Sequence, residues 1–585
     1  MSMNARPTTK KNNLDGSALI LTMIMSAIAL AILASVMAWS AASSRLTHRS
    51  IQYNRSVAAA EGATEKVVGR ITHDFLYGGE KLVTDNLNSY RQSTVPTTAD
   101  SAYWSTWSFN DANGNIGQTY VQRTPGTNYV VLDSVYAGLK GYVSTYTVVA
   151  HAKDNASPQD VTAGVFQELQ LAGIPVFQFA MYSSGNMEIS CGQPFDVTGR
   201  VHSNGRLFIE PDNSLTFESS VTAVTDIVFQ RDPLDPRGPV PNGGVVYVHT
   251  DQKLFPVAAM TLPIGNTNTP EGIREIIEPP PAGEDANSPL GRLRYYNQCD
   301  LVIIATDSGV TASSGNFNGF VTVIPTNDVA MLISTNSSFW DAREGKTIMP
   351  IDINVGNLTL WDQTNNTLKT ALFGTPLNSV YVWDQRSAVS GCLGAVRVVN
   401  GAVLPANGLT VATGRPLYVL GDYNQYDPAY LGTNNTVTTR PASLVADAIT
   451  ILSDNWSDAN STSPVGSRIA AATTVNAAFL TGVVETTAAH YSGGMENFPR
   501  FLESWGLGNI FTYDGSMVKM FPSLYATNAW NNNNNIYDPP KRNWAYDVNF
   551  DDPTKLPPKT PSLLKVIRTR WSTAAPGQNV AAATH

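Results

Sequence analysis

His202, Ser203 and Asn204 stand side by side in Gly199-Arg-Val-His-Ser-Asn-Gly205, a base, a hydroxyl and an amide from which a nucleophilic site could be built. That chemistry needs side chains that meet, and neighbours along a strand point to opposite faces. His202 therefore reads as a solvated turn residue or a satisfied core histidine. Asp196, Glu210, Asp422 and Asp447 are candidates for glycosidic-bond cleavage, which takes two carboxyl groups about 5–10 Å apart. Nothing in their spacing brings two of them together, and acidic residues in Asn- and Gly-rich loops serve to cap turns. Asp341-Ala-Arg-Glu-Gly-Lys346 mixes both signs within a few residues, the mark of a local ion-paired turn. Gly421-Asp422-Tyr-Asn-Gln-Tyr-Asp427 offers oxygens to a calcium ion but lacks EF-hand spacing. Cys191, Cys299 and Cys392 are far apart and match no zinc pattern; an odd count permits one disulfide at most, in any of the pairings. The 7 histidines form no ligand spacing either. No catalytic, cofactor or metal site is expected, and the chain is read as a non-enzyme.

The strongest signal is physical rather than chemical. From Gly16 to Ser44 no charged residue interrupts 29 positions. A hydrocarbon core of about 30 Å takes roughly 20 helical residues, so this run spans a bilayer with a margin. Arg6, Lys10 and Lys11 precede it, against a single Asp15, which keeps the N-terminal side in the cytoplasm and the rest of the chain outside. A cleaved secretory signal is the weaker reading, since its apolar region covers only about 7–15 residues. No proline interrupts residues 16–75; Ala58, Ala59, Ala60 and Glu61 favour helix, Val67, Val68 and Ile71 recur at helical spacing, and Gly78-Gly79 provides a stop. One helix of about 55–60 residues is expected.

The leader, the Gly before the apolar helix and the continuation Ala59-Ala60-Glu61-Gly62-Ala63 resemble type IV pilin-like proteins, and within them the PilX-type minor pilins. The resemblance covers roughly residues 10–75. It implies cleavage by a prepilin peptidase after Gly16, leaving Ser17 as the new N-terminus, and a helix that packs in a filament through residues such as Leu21, Met25, Leu30, Trp39 and Glu61. Major pilins carry a Glu at the fifth mature position, where this chain has Leu21. That Glu offsets a neighbour's amino terminus inside the apolar filament core, where an unpaired charge is costly, so Leu21 implies a minor or tip subunit. Blocks such as Gly199–Gly205, Phe339-Trp-Asp-Ala-Arg-Glu-Gly-Lys346 and Gly493-Gly-Met-Glu-Asn-Phe-Pro-Arg-Phe-Leu-Glu503 are also similar to large bacterial pilin-like proteins that have no assigned activity. They imply architecture and location, and supply no catalytic residues.

With 585 residues there is room for several domains. Charged residues make up 15%, and 44 Gly and 35 Pro point to turn-rich β structure. The net charge of −9, without a basic cluster interleaved with aromatics beyond the stalk, argues against nucleic acid. Alternating stretches at 141–150 and 162–171, joined by the turn-like KDNASPQD, predict an antiparallel pair. Then a 20-residue offset appears: Met187, Leu207 and Ile227 share a column, as do Ile189, Ile209 and Phe229; Phe195 matches Leu215, Val197 matches Phe217, and Val201 matches Val221. That is the pattern of a parallel β-solenoid, in which each coil buries its apolar face on the next. An antiparallel meander is the alternative. Similar strands resume at 394–401, 408–412, 416–422, 443–452 and 474–484.

The expected fold is mainly β with one long N-terminal α-helix, a small antiparallel pilin-like sheet, and a parallel β-solenoid with insertions. Its segments are a basic leader (1–16), a transmembrane and stalk helix (17–78), a pilin-like α+β segment (79–180), the solenoid start (181–233), a β-rich insertion (234–390), the solenoid continuation (391–525) and an irregular tail (526–585) that drapes over an open solenoid end. The expected role is a membrane-anchored minor or tip component of a type IV pilus or type II secretion-like system. Its partners would be the inner membrane, other pilin-like subunits, and a surface polysaccharide or a host or neighbouring surface. The alternative is an extracytoplasmic carbohydrate-active enzyme tethered by the same helix.

Overall fold

The computed structural model describes residues 15–574, apart from 112, 133–137, 239–242, 250–251, 266–267, 317–318, 507 and 531–534. The chain is one long N-terminal helix followed by a mainly β body. The helix α1 covers Asp15–Asp85 and is broken at Gly79, whose φ of 74° lies in the left-handed region that glycine tolerates. Its two halves live in different surroundings. Residues 17–51 are exposed throughout, whereas from Gln52 onward a stripe is buried: Ser56, Ala59, Ala60, Ala63, Thr64, Val67, Val68, Ile71 and Phe75. Steps of three and four residues put these side chains on one face. The small alanines sit over Trp107, Phe109, Ala150, Ala152 and Val165; the larger residues below pack on Tyr146, Val148, Leu169 and Leu171.

The sheet beneath α1 has the strand order Trp107–Asn110, Lys140–Asp154, Thr162–Pro175, Ser562–Ala574, all antiparallel. Its central hairpin is the expected pair, closing with Lys153 opposite Thr162. The fourth strand departs from expectation. Residues 526–585 read as an irregular tail, yet Lys541–Tyr546 is a strand alongside Ile510–Pro522, and Ser562–Ala574 pairs along nearly the whole of Thr162–Pro175. The first part of this strand is apolar on both faces: Leu564 and Val566 join the cluster under α1, Leu563 and Ile567 join the main core, and Arg568–Trp571 beyond them are exposed. It stitches the helix-bearing sheet to the rest of the body. No strand-period stretch flanked by turn signals announces it, because a two-faced strand lacks the polar alternation that marks an ordinary one.

From Met181 the chain coils. Met187–Ile189, Leu207–Ile209 and Ile227–Val228 stack in parallel, with Leu207 between Met187 and Ile227. Phe195–Val197, Leu215–Phe217 and Val245–Tyr247 form a second column. Met181–Ser183, Val201–Ser203, Val221–Ala223 and Lys253–Leu254 form the third. These are the columns the 20-residue offset requires, with two amendments. Phe229 falls outside the column, exposed, because the chain leaves it after Val228. The third coil also runs on past 233, through Val245–Tyr247 to Lys253–Leu254.

A second limb follows, and it begins well before 391. Leu301–Thr306, Ser379–Asp384, Leu409–Thr413, Ala442–Ala446, Thr473–Val483 and Ile510–Pro522 stack in parallel, in that order. Facing them, Lys346–Asn354, Cys392–Val399, Leu417–Leu420, Ile449–Leu452 and Arg500–Phe501 form a second parallel sheet. Much of the segment expected as an insertion at 234–390 is thus the opening of this limb. Its last strand, Ile510–Pro522, lies parallel to Met181–Ser183, with Met517 opposite Met181. The edge of the first coil is therefore covered by the end of the second limb, leaving neither as a free apolar edge. The described strands of the tail pair with Ile510–Pro522 and Thr162–Pro175 rather than with an outer end of either limb.

Candidate functional site

Leu21, Met25, Leu30 and Trp39 are each at least 62% exposed, and an 18-residue window of this helix has a mean hydropathy of 2.6 with none of it buried. Each such apolar side chain gains roughly 1.5–3 kcal/mol on full burial, so water is not where this half of the helix resides. Glu61 stands apart from the other four: it lies in the half of α1 that packs on its own sheet and is half-buried there. Ser17 is exposed at the start of the helix; Gly16 is helical, and residues 1–14 lie outside the described residues.

His202 is a core histidine. It is fully buried; its Nδ1 is 2.8 Å from Thr222 Oγ1 and its Nε2 is 3.0 Å from Asn204 Oδ1. Its ring lies against Phe179 and stacks on Tyr182. Asn204 in turn donates to the Tyr182 hydroxyl and the Met260 carbonyl, so the motif Val-His-Ser-Asn-Gly is a buried polar clasp between successive coils. Burial, with Lys565 a smaller influence, pulls the imidazole down to about 4. A neutral histidine in the fold and an ordinary one in the unfolded chain means the unfolded state takes up the proton first. Stability from this group is present above about pH 6.5 and is lost as pH falls toward 4, on the order of 3 kcal/mol in all. Glu188 and Asp514, raised to about 7 and about 8 by burial, act in the opposite sense, since their stabilisation fades as pH rises. Comparison with His202→Gln isolates the histidine: between pH 7 and pH 5 the parent's urea midpoint is expected to lose more, or gain less, than the variant's. Equal slopes would refute the assignment.

The four carboxylates weighed for acid–base chemistry are not gathered together. Asp196 is exposed in the strand Phe195–Val197, and Glu210 is buried 3.5 Å from Arg231. Asp422 accepts from the Thr474 amide. Asp447 is fully buried and receives Arg274 at 2.7 Å together with the amides of Leu524, Tyr525 and Ala526. Three of these four have fixed structural partners. Asp422 and Asp427, read as weak calcium ligands, are likewise engaged by backbone amides, of Thr474 and Ala429. Among the described residues no cluster of three or more His, Cys, Asp or Glu is placed to hold a metal ion. All three cysteines are free thiols, Cys191 and Cys299 buried and Cys392 half-buried.

The Asp341–Lys346 cluster is both a local turn and a long-range contact. Asp341 caps its own turn through the amides of Arg343 and Glu344 and receives the Tyr418 hydroxyl at 2.7 Å. Glu344, however, pairs with Arg500, 2.7 Å away, so the block at 339–346 and the block at 493–503 meet in space. Arg343 has no carboxylate within ion-pair range among the described residues. Opposite charges crowded in one short segment give no hint of which partner arrives from elsewhere.

No family model matches the sequence, and no curated protein matches it. Among solved structures the chain is similar to the competence-associated pilin ComZ from Thermus thermophilus, at 8% identity and a TM-score of 0.25, with 89% of this chain and 98% of that chain covered.

Proposed function

We propose that this protein is a pilin-like component of a type IV pilus or type II secretion-like system, anchored in the inner membrane by the first half of α1 and displaying its β body outside. The observation that carries this reading is the division of a single helix: an apolar half exposed throughout, continuous with a half whose stripe is buried on the chain's own sheet. Membrane lipid and the helices of other pilin-like subunits are the two environments that suit the first half. The basic leader favours a cytoplasmic N-terminus. Leu21, in the place of a filament carboxylate, favours a minor or tip position over the repeating shaft. The body then serves assembly, adhesion or contact with another surface.

Processing at Gly16 is the test. In cells with a prepilin peptidase, N-terminal sequencing is expected to begin at Ser17, and Gly16→Phe is expected to retain the leader and run larger. An identical N-terminus with and without the peptidase would remove the pilin assignment and leave a plain signal anchor.

A further inference from the structure

Arg343 lines a cleft of about 520 Å³ together with Arg237, His490, Tyr491, Asn528 and Trp530. Three of these, Arg237, Tyr491 and Trp530, also line a second cleft of about 160 Å³. Volumes of this order suit small ligands. The walls come from four separate stretches of chain, and each is held in place. Asn528 Nδ2 donates to the carbonyls of both Arg343 and Glu344, and Arg343 Nε returns a bond to the Asn528 carbonyl. Trp530 donates from its indole to the Tyr537 hydroxyl at 3.0 Å and is backed by Gly493, where a Cβ would fall 3.0–3.2 Å from the indole. Tyr491 meets Trp530 edge-on at 5.6 Å and carries the Arg237 guanidinium 3.4 Å above its ring.

The electrostatics of the larger cleft are unbalanced at Arg343. Arg237 has its counter-ion in Asp235, 2.6 Å away. Arg343 is only 9% exposed, yet its terminal amino groups make no hydrogen bond and no carboxylate lies within ion-pair range among the described residues. Its neighbour Glu344 is occupied by Arg500 and by the Asn528 amide. Burial and the nearby Arg500 pull the guanidinium down, to about 9, which still leaves it charged at neutral pH. The stem of Arg343 is buried while its amino groups line the cleft without a counter-ion among the described residues, which places them to meet an anion arriving from solvent. His490, in the same wall, also has a buried Nδ1 without a partner among the described residues.

We propose that this cleft binds an acidic saccharide, its carboxylate held by Arg343 and its ring packed against Trp530, whose indole Tyr491 backs edge-on. One planar guanidinium matches one carboxylate bidentately. A phosphate-rich ligand would call for several convergent cations, whereas Arg237 is already neutralised. The remaining lining of aromatic rings, a neutral amide and an imidazole suits hydroxyl groups and apolar sugar faces. A peptide would need a free strand edge for its amides, and residues 489–491 and 528–530 lie outside the strands. This supplies a ligand for the displayed body of the preceding reading; should it fail, membrane anchoring and processing at Gly16 are untouched.

The test uses the full-length protein in a sugar-free zwitterionic detergent, with binding followed by calorimetry. Digalacturonic acid is expected to bind, with neutral galactobiose weaker by roughly ten- to a hundredfold, the worth of a charge-assisted bidentate contact. Arg343→Gln should remove that preference, Arg343→Lys should restore part of it, and Trp530→Ala should weaken both sugars. Because Arg343 lacks a counter-ion, the Gln variant is expected to unfold at the parent's urea midpoint or above it, which separates lost binding from lost fold. No binding of digalacturonic acid, equal binding of the neutral disaccharide, or an unchanged affinity in Arg343→Gln would overturn the proposal. So would preferential binding of hexaglutamate or of sulfate alone, which would mark a peptide site or a bare anion site.

Discussion

Deleting residues 562–585 is expected to unfold the helix-bearing sheet rather than trim a dispensable tail. Ser562–Ala574 pairs with Thr162–Pro175 from Ser562 opposite Pro175 to Ala574 opposite Gly164, and it carries Leu563 and Leu564 into two different apolar clusters. Losing two buried leucines costs about 4–10 kcal/mol at the usual 2–5 each, before the lost ladder is counted. Typical domains have only about 5–15 kcal/mol in reserve. The Arg568–Glu65 pair, at 2.6 Å but largely exposed, adds little to that figure. Hydrogen exchange of the truncated protein in detergent should reveal lost protection in residues 52–78 and in Lys140–Asp154, with the coil stack spared. Retained protection there would mean that the last strand is an ornament.

The second large effect belongs to Asp447. Its carboxylate is enclosed by Arg274 and three successive amides, and its own carbonyl receives the Gly482 amide and the Ser523 hydroxyl. It thereby ties the short helix Pro270–Arg274 and the turn after Ile510–Pro522 to the strand pair at its own position. Asp447→Ala would leave Arg274 buried with only Glu278 as an ionic partner, and three amides without acceptors. Removing one member of a buried pair costs roughly 3–5 kcal/mol. The urea midpoint should drop accordingly, with new protease cleavage at residues 523–526. A change below about 1 kcal/mol, the size of an ordinary surface substitution, would rule out this role. Asp447 was weighed in the sequence as a catalytic carboxylate; the same burial that makes it important to the fold withholds it from any substrate.

Whatever depends on near neighbours along the chain can be read from the residues alone. The charge-free run at Gly16–Ser44, the helical stripe at Val67, Val68 and Ile71, the hairpin around KDNASPQD and the stacking of Met187, Leu207 and Ile227 all follow from side-chain period and hydrophobicity, which are local quantities. Even the refusal of His202 as a catalytic base was legible, because adjacency along a strand is a local fact. Tertiary structure alone decided which edges meet. Met181 lies beside Met517, and Thr162–Pro175 beside Ser562–Ala574, because each apolar edge must be covered and several segments could have covered it. The sequence states that an edge is sticky without naming its partner. The same holds for charge: Glu344 finds Arg500 across the fold, and only then is Arg343, its neighbour in the chain, left facing a cleft without a counter-ion among the described residues.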